Sequence, residues 1–529
     1  LSINKEIINS KNDEIKEIFK KKNKLKYYEK NFTTLLVSRD REFQIFLQSF
    51  LASALSQKKK TGVTLISEKP INNNLNQILF ALGITKFISF KRFSILNLIT
   101  FIKSIYQFIL TTYSLNTKNI KWLIKDCKID NIYIGDLIYD SYIRYNLSFL
   151  KKNITLKLLF KIFISIFKFN LIKNLLIKKK IKYVVCEGGG YANLSGLTAR
   201  IAANLKINLY SISYDRKNNF TLIDQNKLKS DPNAKGRIRR FKKTHILQST
   251  KNLTEKKLNK FISDRNLGKI TTIRTNRFDI LNSNKNKNFY NKEKFIKKVF
   301  NSNNLSKKIV LIAAHVFSDC PHLDGENYIF NDYYEHYTQT CDYIKNNNLD
   351  DVYWIIKPHP STKRYGEDNI ATSYAKNLNF RNFGICPKDI STDNLVNICD
   401  NVITVTGTIA LEFAVKGKLS INAGITQYSR FNITMDHYNQ KSYFKSLENI
   451  DKIKKLSVKQ TIFAKKMFYF LENLSSGIKI SNSNFLNLAQ LDPNKKNDQD
   501  KIVNKNLISY LKKNNLSNDQ MIKDLYKKI

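Results

Sequence analysis

The residues best placed for chemistry fall in two short runs of the C-terminal half. In Trp354-Ile355-Ile356-Lys357-Pro358-His359-Pro360-Ser361 an apolar, strand-like stretch runs straight into a loop braced by two prolines. The prolines restrict the backbone on either side of His359. Ligands of open α/β sheets bind at the carboxyl ends of strands, where this loop presents Lys357, His359, Pro360 and Ser361. A basic residue, a titratable one and a rigid frame suit ligand binding and a catalytic role for His359. In the second run, Thr406-Gly407-Thr408-Ile409-Ala410-Leu411-Glu412, a strand ends in two hydroxyls and a glycine that open a helix. Free N–H groups and the positive end of the helix dipole favour phosphate there. Glu412 lies four residues past Thr408, on the same helical face.

A third run lies in the N-terminal half. Glu187-Gly188-Gly189-Gly190-Tyr191 joins a strand to a helix. Glycines there permit close approach of a ligand to the backbone, and Glu187 at the strand end is a candidate general base. Asp136 and Asp140 in YIGDLIYD are further acidic candidates for the substrate cleft. His315, Asp319, His322 and Asp324 follow no metal-ligand spacing; they read as a polar loop lining the cleft, with His315 and Asp319 facing substrate and no metal bound. The chain contains no G-x-S-x-G, no GxGxxG and no Walker A loop.

Positioning these runs requires strands that alternate with helices. Tyr183–Cys186, the glycine turn, a helix over 192–205 and a strand over 207–212 form a βαβ unit. Earlier strands are read at 62–67 and 86–90, with a helix near 73–82 and long apolar helices after them. A second series runs through KKIVLIAAHVF (307–317), DVYWIIKPHPS (351–361), NFGICP (382–387) and DNVITVTGTIALEFAVKGKLSINAG (400–424). Such alternation predicts parallel sheets covered by helices on both faces. The expected organisation is a helical N-terminal extension over 1–60, a Rossmann-like domain over 61–255, a linker over 256–304, a second Rossmann-like domain over 305–490 and a polar Lys/Asn-rich tail over 491–529 with one short helix.

Composition narrows the class. The 529 residues include 90 Lys+Arg against 43 Asp+Glu, a formal net charge of +47. With 42% hydrophobic residues and only 16 Gly and 7 Pro, the chain is neither disordered nor fibrous. The basic residues are spread along the chain without a nucleic-acid-recognition signature, so nucleic acid is not an expected partner. Six scattered cysteines without a CxxC pair point to a reduced, cytoplasmic protein. The polar N-terminal stretch LSINKEIINSKNDEIKEIF does not read as a signal peptide. Residues 154–177 place Lys157, Lys161 and Lys168 on one helical face and Phe160, Phe163 and Phe167 opposite. Four lysines, with Lys173, argue against a span. They leave two readings open: an interfacial amphipathic helix in peripheral contact with the inner membrane, or a helix packed on a domain core.

KPHPS followed by VTGTIALEFAVKGKLSINAG resembles the paired signatures of capsule polysaccharide biosynthesis proteins, a group similar to bacterial capsule Kdo-transferases and polysialyltransferases and, more distantly, to CDP-glycerol glycerophosphotransferases. The resemblance implies an α/β, GT-B-like fold of two Rossmann-like domains facing a cleft. It implies that His359 and Pro360 match a His-Pro motif, and that Thr406, Gly407 and Thr408 match a later Ser/Thr motif, both of which bind the donor's nucleotide and phosphate. Glu412 matches that motif's acidic position. The function so implied is transfer of a sugar from a nucleotide-activated donor to a surface polysaccharide or lipid-linked acceptor, without a separate cofactor or metal. Transfer of a polyol phosphate from a CDP-alcohol, a sugar-nucleotide 2-epimerase, a non-catalytic capsule-assembly scaffold and a polyanion-binding protein are the alternatives.

Overall fold

The structure, a computed structural model, describes residues 28, 31–37, 42–68, 76, 79–80, 82–90, 98–144, 147–150, 154–214, 220–224, 241–266, 288–323, 329–474, 478–481 and 519–529. The chain builds two sheets. Strands β1 (Thr34–Val37), β2 (Val63–Ser67), β3 (Lys86–Ser89), β6 (Tyr183–Val185), β7 (Asn208–Tyr214) and β8 (Phe220–Asp224) belong to the first; a small ribbon, β4 (Lys128–Ile129) and β5 (Ile132–Tyr133), stands apart from it. The second contains β9 (Lys308–Ala313), β10 (Val352–Lys357), β11 (Phe383–Ile385), β12 (Asn401–Thr404), β13 (Ser420–Asn422) and β14 (Met435–Asp436). A last strand, β15 (Ile478–Ile480), returns to the edge of the first sheet, antiparallel to β8.

Both sheets share one winding. The second runs β11-β10-β9-β12-β13-β14, with all its pairings parallel. The first runs β15-β8-β7-β6-β1-β2-β3, with β8 alone reversed, antiparallel to both its neighbours. In each, the chain winds outward from a central strand and then crosses back to its other side, the doubly wound Rossmann order. Runs such as VYWIIK and KIVLIA, buried along most of their length, suit strands covered on both faces. The architecture is the α/β, GT-B-like pair of Rossmann-like bodies that the sequence implies.

The principal helices of the first body are α1 (Glu42–Lys59), α2 (Leu98–Asp126, broken at Asn119), α3 (Gly135–Ile143), α4 (Leu156–Lys178) and α5 (Leu194–Asn204). Those of the second are α6 (Glu255–Asn266), α7 (Lys292–Phe300), α8 (Tyr333–Asn346), α9 (Thr362–Tyr365), α10 (Ile409–Ala414) and α11 (Val458–Asn473), and α12 (Gln520–Lys528) closes the chain.

Several boundaries differ from expectation. Residues 34–59, read as part of a helical extension, supply the central strand β1 and helix α1: TLLV is fully buried between β2 and β6, and Phe46, Phe50 and Leu51 pack against the sheet. The end of the chain joins the same core through Met521, Ile522 and Leu525 of α12. Ile246, expected in the first body, and α6, expected in a linker, pack with Phe463, Met467 and Phe468 of α11. Phe295 and Ile296 of α7 pack under β9 and β10. Residues 1–27, most of 73–82, and 482–518 lie outside the described residues.

Helix α4 follows the core-packing reading. It buries Leu158, Ile162, Ile166, Phe169 and Leu176, and Lys168 and Lys173 pair with Glu68 at 2.7 Å and Asp130 at 2.9 Å. Among the described residues no helix is long and apolar enough to cross a membrane.

Candidate active site at the switch points of the two sheets

A doubly wound sheet leaves a crevice where its strand order reverses, at the strands' carboxyl ends. In the second sheet that point lies between β9 and β12, and His315 and Thr406-Gly407-Thr408 follow those strands. The His315 Nε2 lies 3.1 Å from Thr404 Oγ1 and accepts the Thr406 N–H at 3.4 Å. Its ring stacks on Tyr333 with centroids 4.0 Å apart, and the Tyr333 hydroxyl is 3.2 Å from Thr406 Oγ1. Burial, with the neighbouring His359 and His336, pushes the His315 pKa down to about 3. The imidazole is therefore neutral near pH 7, with its lone pair used to fix the Thr406 turn.

Gly407 is required by proximity: a Cβ there would stand 2.6 Å from Thr404 Oγ1. Its N–H donates to that hydroxyl at 3.3 Å, and Tyr428 donates to its carbonyl at 2.6 Å. The Thr408 side chain makes no capping hydrogen bond, and Thr406, Gly407 and Thr408 are half-buried. Glu412 accepts from Arg265 Nη2 at 3.0 Å, so α6 neutralises the acidic position of this motif.

The KPHPS loop leaves the adjacent strand, β10. Ser361 is buried and its N–H donates to His359 Nδ1 at 3.2 Å. The neutral His359 ring thus carries its proton on Nε2, as a donor. Thr362 N–H closes the loop on the His359 carbonyl at 3.1 Å. Lys357, Pro358 and His359 are half-buried and Pro360 is exposed. Strand order β10-β9-β12 therefore gathers Lys357, His359, His315 and Thr406–Thr408 along one sheet end.

The first sheet reverses between β1 and β6, and β6 ends in Cys186-Glu187-Gly188-Gly189-Gly190. Gly188 and Gly189 have φ of 71° and 149°, conformations that side chains resist. Asn193 caps α5 by accepting from Gly196 N–H at 2.8 Å. This loop meets the 315–323 loop of the second body. A Cβ on Gly190 would lie 2.8 Å from the Cys320 Cβ and 3.0 Å from the Leu323 Cβ, and the Tyr191 hydroxyl donates to Asp319 Oδ1 at 3.4 Å. Glu187, half-buried, precedes this loop at the end of β6.

Residues 215–456 match the family model described as capsule polysaccharide biosynthesis protein. The matched segment spans a little under half of the chain. It holds Lys357, His359, His315 and the Thr406–Glu412 motif, and leaves Glu187 and its glycine loop outside. A search of curated proteins returns no match. Solved structures with detectable similarity include the β-Kdo 2,4-transferase KpsC of Thermosulfurimonas dismutans, at 12% identity over 54% of this chain and 79% of that one, TM-score 0.29. They include the UDP-GlcNAc 2-epimerase of Methanocaldococcus jannaschii, at 14% identity over 83% and 98%, TM-score 0.27. A glycosyltransferase of Rickettsia africae aligns at 10% identity over 94% and 98%, TM-score 0.22.

Not every acidic candidate reaches the cleft. Asp136 is 2% exposed and bound by Arg200 through two hydrogen bonds of 3.1 and 2.8 Å, so it is a buried partner and not a substrate contact. Asp140 is 1% exposed, with Oδ1 2.5 Å from His322 Nδ1 across the two bodies. The other ring nitrogen of His322 faces the Asn331 carbonyl at 2.8 Å. Two acceptors around one imidazole require a proton on each nitrogen or on the carboxyl. Burial raises the Asp140 pKa to about 6, and Asp140 raises that of His322 against its own burial; the pair holds its shared proton more tightly than either group in water. Tyr139 donates to Asp332 at 2.5 Å beside it. These groups are a polar clasp between the bodies.

The sequence reading did not single out Arg144. Its guanidinium lies 4.0 Å from the Tyr365 ring centroid and 5.6 Å from that of Tyr191, with Nη1 3.9 Å from Asp319 Oδ1. Nη1 is buried and makes no hydrogen bond among the described residues. Arg144 ends the block YIGDLIYDSYIR, and Tyr365 closes the short helix after the KPHPS loop; only the fold brings them together.

Proposed function

We propose that the protein is a metal-independent glycosyltransferase of GT-B type that moves a sugar from a nucleotide-activated donor to a surface polysaccharide or lipid-linked acceptor, in peripheral contact with the inner face of the cell membrane. The observation that carries this reading is the convergence of Lys357, His359, His315 and Thr406–Thr408 at the switch point of the sheet that lies within the capsule-family segment. In this reading the donor phosphate lies against Lys357, the His359 Nε2–H and the backbone of the Thr406–Thr408 turn. Fixed donors aimed at a leaving phosphate stabilise the charge that grows as the sugar–oxygen bond breaks. Glu187 takes the proton of the acceptor hydroxyl as its oxygen bonds to the sugar carbon, and the nucleotide departs with the bonding electrons. Neutral His315 orients the turn without adding charge.

Product analysis with CMP-, CDP-, UDP- and GDP-activated donors, with and without a chelator, tests this. Expected are nucleotide release with a new glycosidic bond, insensitivity to chelator, and a fall in kcat of about 10²-fold or more for Glu187→Gln. A phosphodiester in the product would instead make the protein a polyol-phosphate transferase. Full turnover in Glu187→Gln would remove the assigned base.

A further inference from the structure

Helix α2 is built inside out. Between Leu98 and Leu115 the residues it buries are chiefly small and polar, namely Thr100, Ser104 and Thr111 with Leu115. Its outward face carries Leu98, Ile99, Ile102, Ile105, Tyr106, Ile109, Leu110 and Tyr113, each exposed, with Ile99 at 86%. The inward polar groups are satisfied by α4: Asn170 donates to Ser104 at 2.9 Å and Asn174 to Thr100 at 3.1 Å. With the Phe108–Phe163 ring contact at 5.6 Å, these pairs set the helices antiparallel. That register carries exposed Phe160 and Leu156 of α4 alongside the Leu110–Tyr113 end of the stripe. Leu98–Tyr113 spans about 24 Å at 1.5 Å per residue, a larger apolar face than monomeric soluble proteins usually leave in water.

Charge identifies what covers it. The chain has no Asp or Glu over 69–125 or over 141–186, the two stretches that contain this face, while Lys118, Lys121 and Lys157 are exposed near it. A second copy of this chain would set lysines against lysines. A surface both apolar and anionic fits, and a helix with an apolar stripe flanked by lysines lies in the plane of such an interface. We propose that the α2 face, with the start of α4, docks the protein onto an anionic lipid bilayer. The proposal deepens the reading of peripheral membrane contact, assigns that contact chiefly to α2 in place of the lysine-bearing 154–177 helix, and is independent of the transfer chemistry.

The test is flotation of the full chain with phosphatidylcholine vesicles, with and without phosphatidylglycerol, at low and high salt. The protein is expected to float with the anionic vesicles and to be partly released by salt. The triple variant Ile99→Asn, Ile102→Asn, Ile109→Asn should bind at least roughly tenfold more weakly, because each side chain leaves water on docking. Phe289→Asn, which removes an exposed aromatic elsewhere (80% exposed), should bind as wild type. Hydrogen exchange on the wild type should show vesicle-dependent protection over 98–113, a readout that needs no variant. Absence of flotation, flotation unchanged in the triple variant, or a wild-type dimer that the triple variant splits would each overturn the proposal; the last assigns the face to a second copy. Nucleotide-dependent stabilisation, measured on the same proteins without lipid, separates failure of docking from failure of the transferase reading.

Discussion

Gly190→Ala tests whether the two switch-point loops meet as described. The new methyl would stand 2.8 Å from the Cys320 Cβ, 2.9 Å from its Sγ and 3.0 Å from the Leu323 Cβ. Carbon atoms settle near 3.5–4 Å, so the loops must part by roughly 1 Å, stretching the 3.4 Å Tyr191–Asp319 hydrogen bond. Overpacking of this kind costs about 1–3 kcal/mol, a drop in Tm on the order of 2–12 °C for bodies of this size. The structure also names the rescue. Cys320 has φ of 47°, where glycine is at ease and a side chain is not, so Cys320→Gly removes two of the three clashing atoms and relieves local strain. A thermal double-mutant cycle over the four proteins should show a coupling of about 1–2 kcal/mol in the restoring direction. Gly190→Ala melting within about 1 °C of wild type, or a penalty that Cys320→Gly leaves untouched, would refute the reasoning.

Asp140→Asn should destabilise the protein by about 3 kcal/mol by breaking a buried pair. It should also flatten the pH dependence: the His322 pKa is raised in the folded state, so its contribution is present below the unfolded value and lost as pH rises through the raised one. Denaturation midpoints that fall above pH about 6.5 in wild type and not in the variant are the expected outcome. Arg144→Lys keeps the charge but loses the planar stack on Tyr365; it should lower kcat/KM without lowering Tm by more than about 2 °C, and equal kcat/KM would assign Arg144 to packing alone. Because the His315 pKa sits at about 3, nucleotide binding should show no His315-dependent inflection between pH 5 and 8, and an inflection in wild type that is missing in His315→Asn would contradict the neutral assignment.

Legibility in the sequence followed local signal. Strands β2, β3, β6, β9, β10, β11, β12 and β13 lie within the runs read as strands, and β7 outruns its reading of 207–212 by two residues, because each is an apolar run bounded by turn residues. Strand β1 was hidden: four residues, TLLV, in a charged neighbourhood read as helical, although it sits at the centre of its sheet. The two glycine-bearing runs, after β6 and β12, stand at the switch points, and the proline-framed run follows β10 beside one of them, because βα turns at the carboxyl ends of doubly wound sheets call for such residues. Pairings across the bodies were not legible. Asp136 reads as a cleft carboxylate until Arg200, far along the chain, is found to occupy both its oxygens. Arg144 carries no motif, and its two aromatic neighbours come from other segments. Helix α2 misled in the opposite sense, since nothing local reveals that its polar face points inward.

The most direct test of the central claim is the thermal stability of wild type and His359→Ala with CMP, CDP, UDP or GDP. A ligand that binds the folded state raises Tm by mass action. The donor site assigned to the β10-β9-β12 sheet end predicts a rise with one of these nucleotides that is lost in His359→Ala, while the unliganded Tm stays within about 2 °C of wild type. An equal rise in both proteins, or none with any nucleotide, would contradict it.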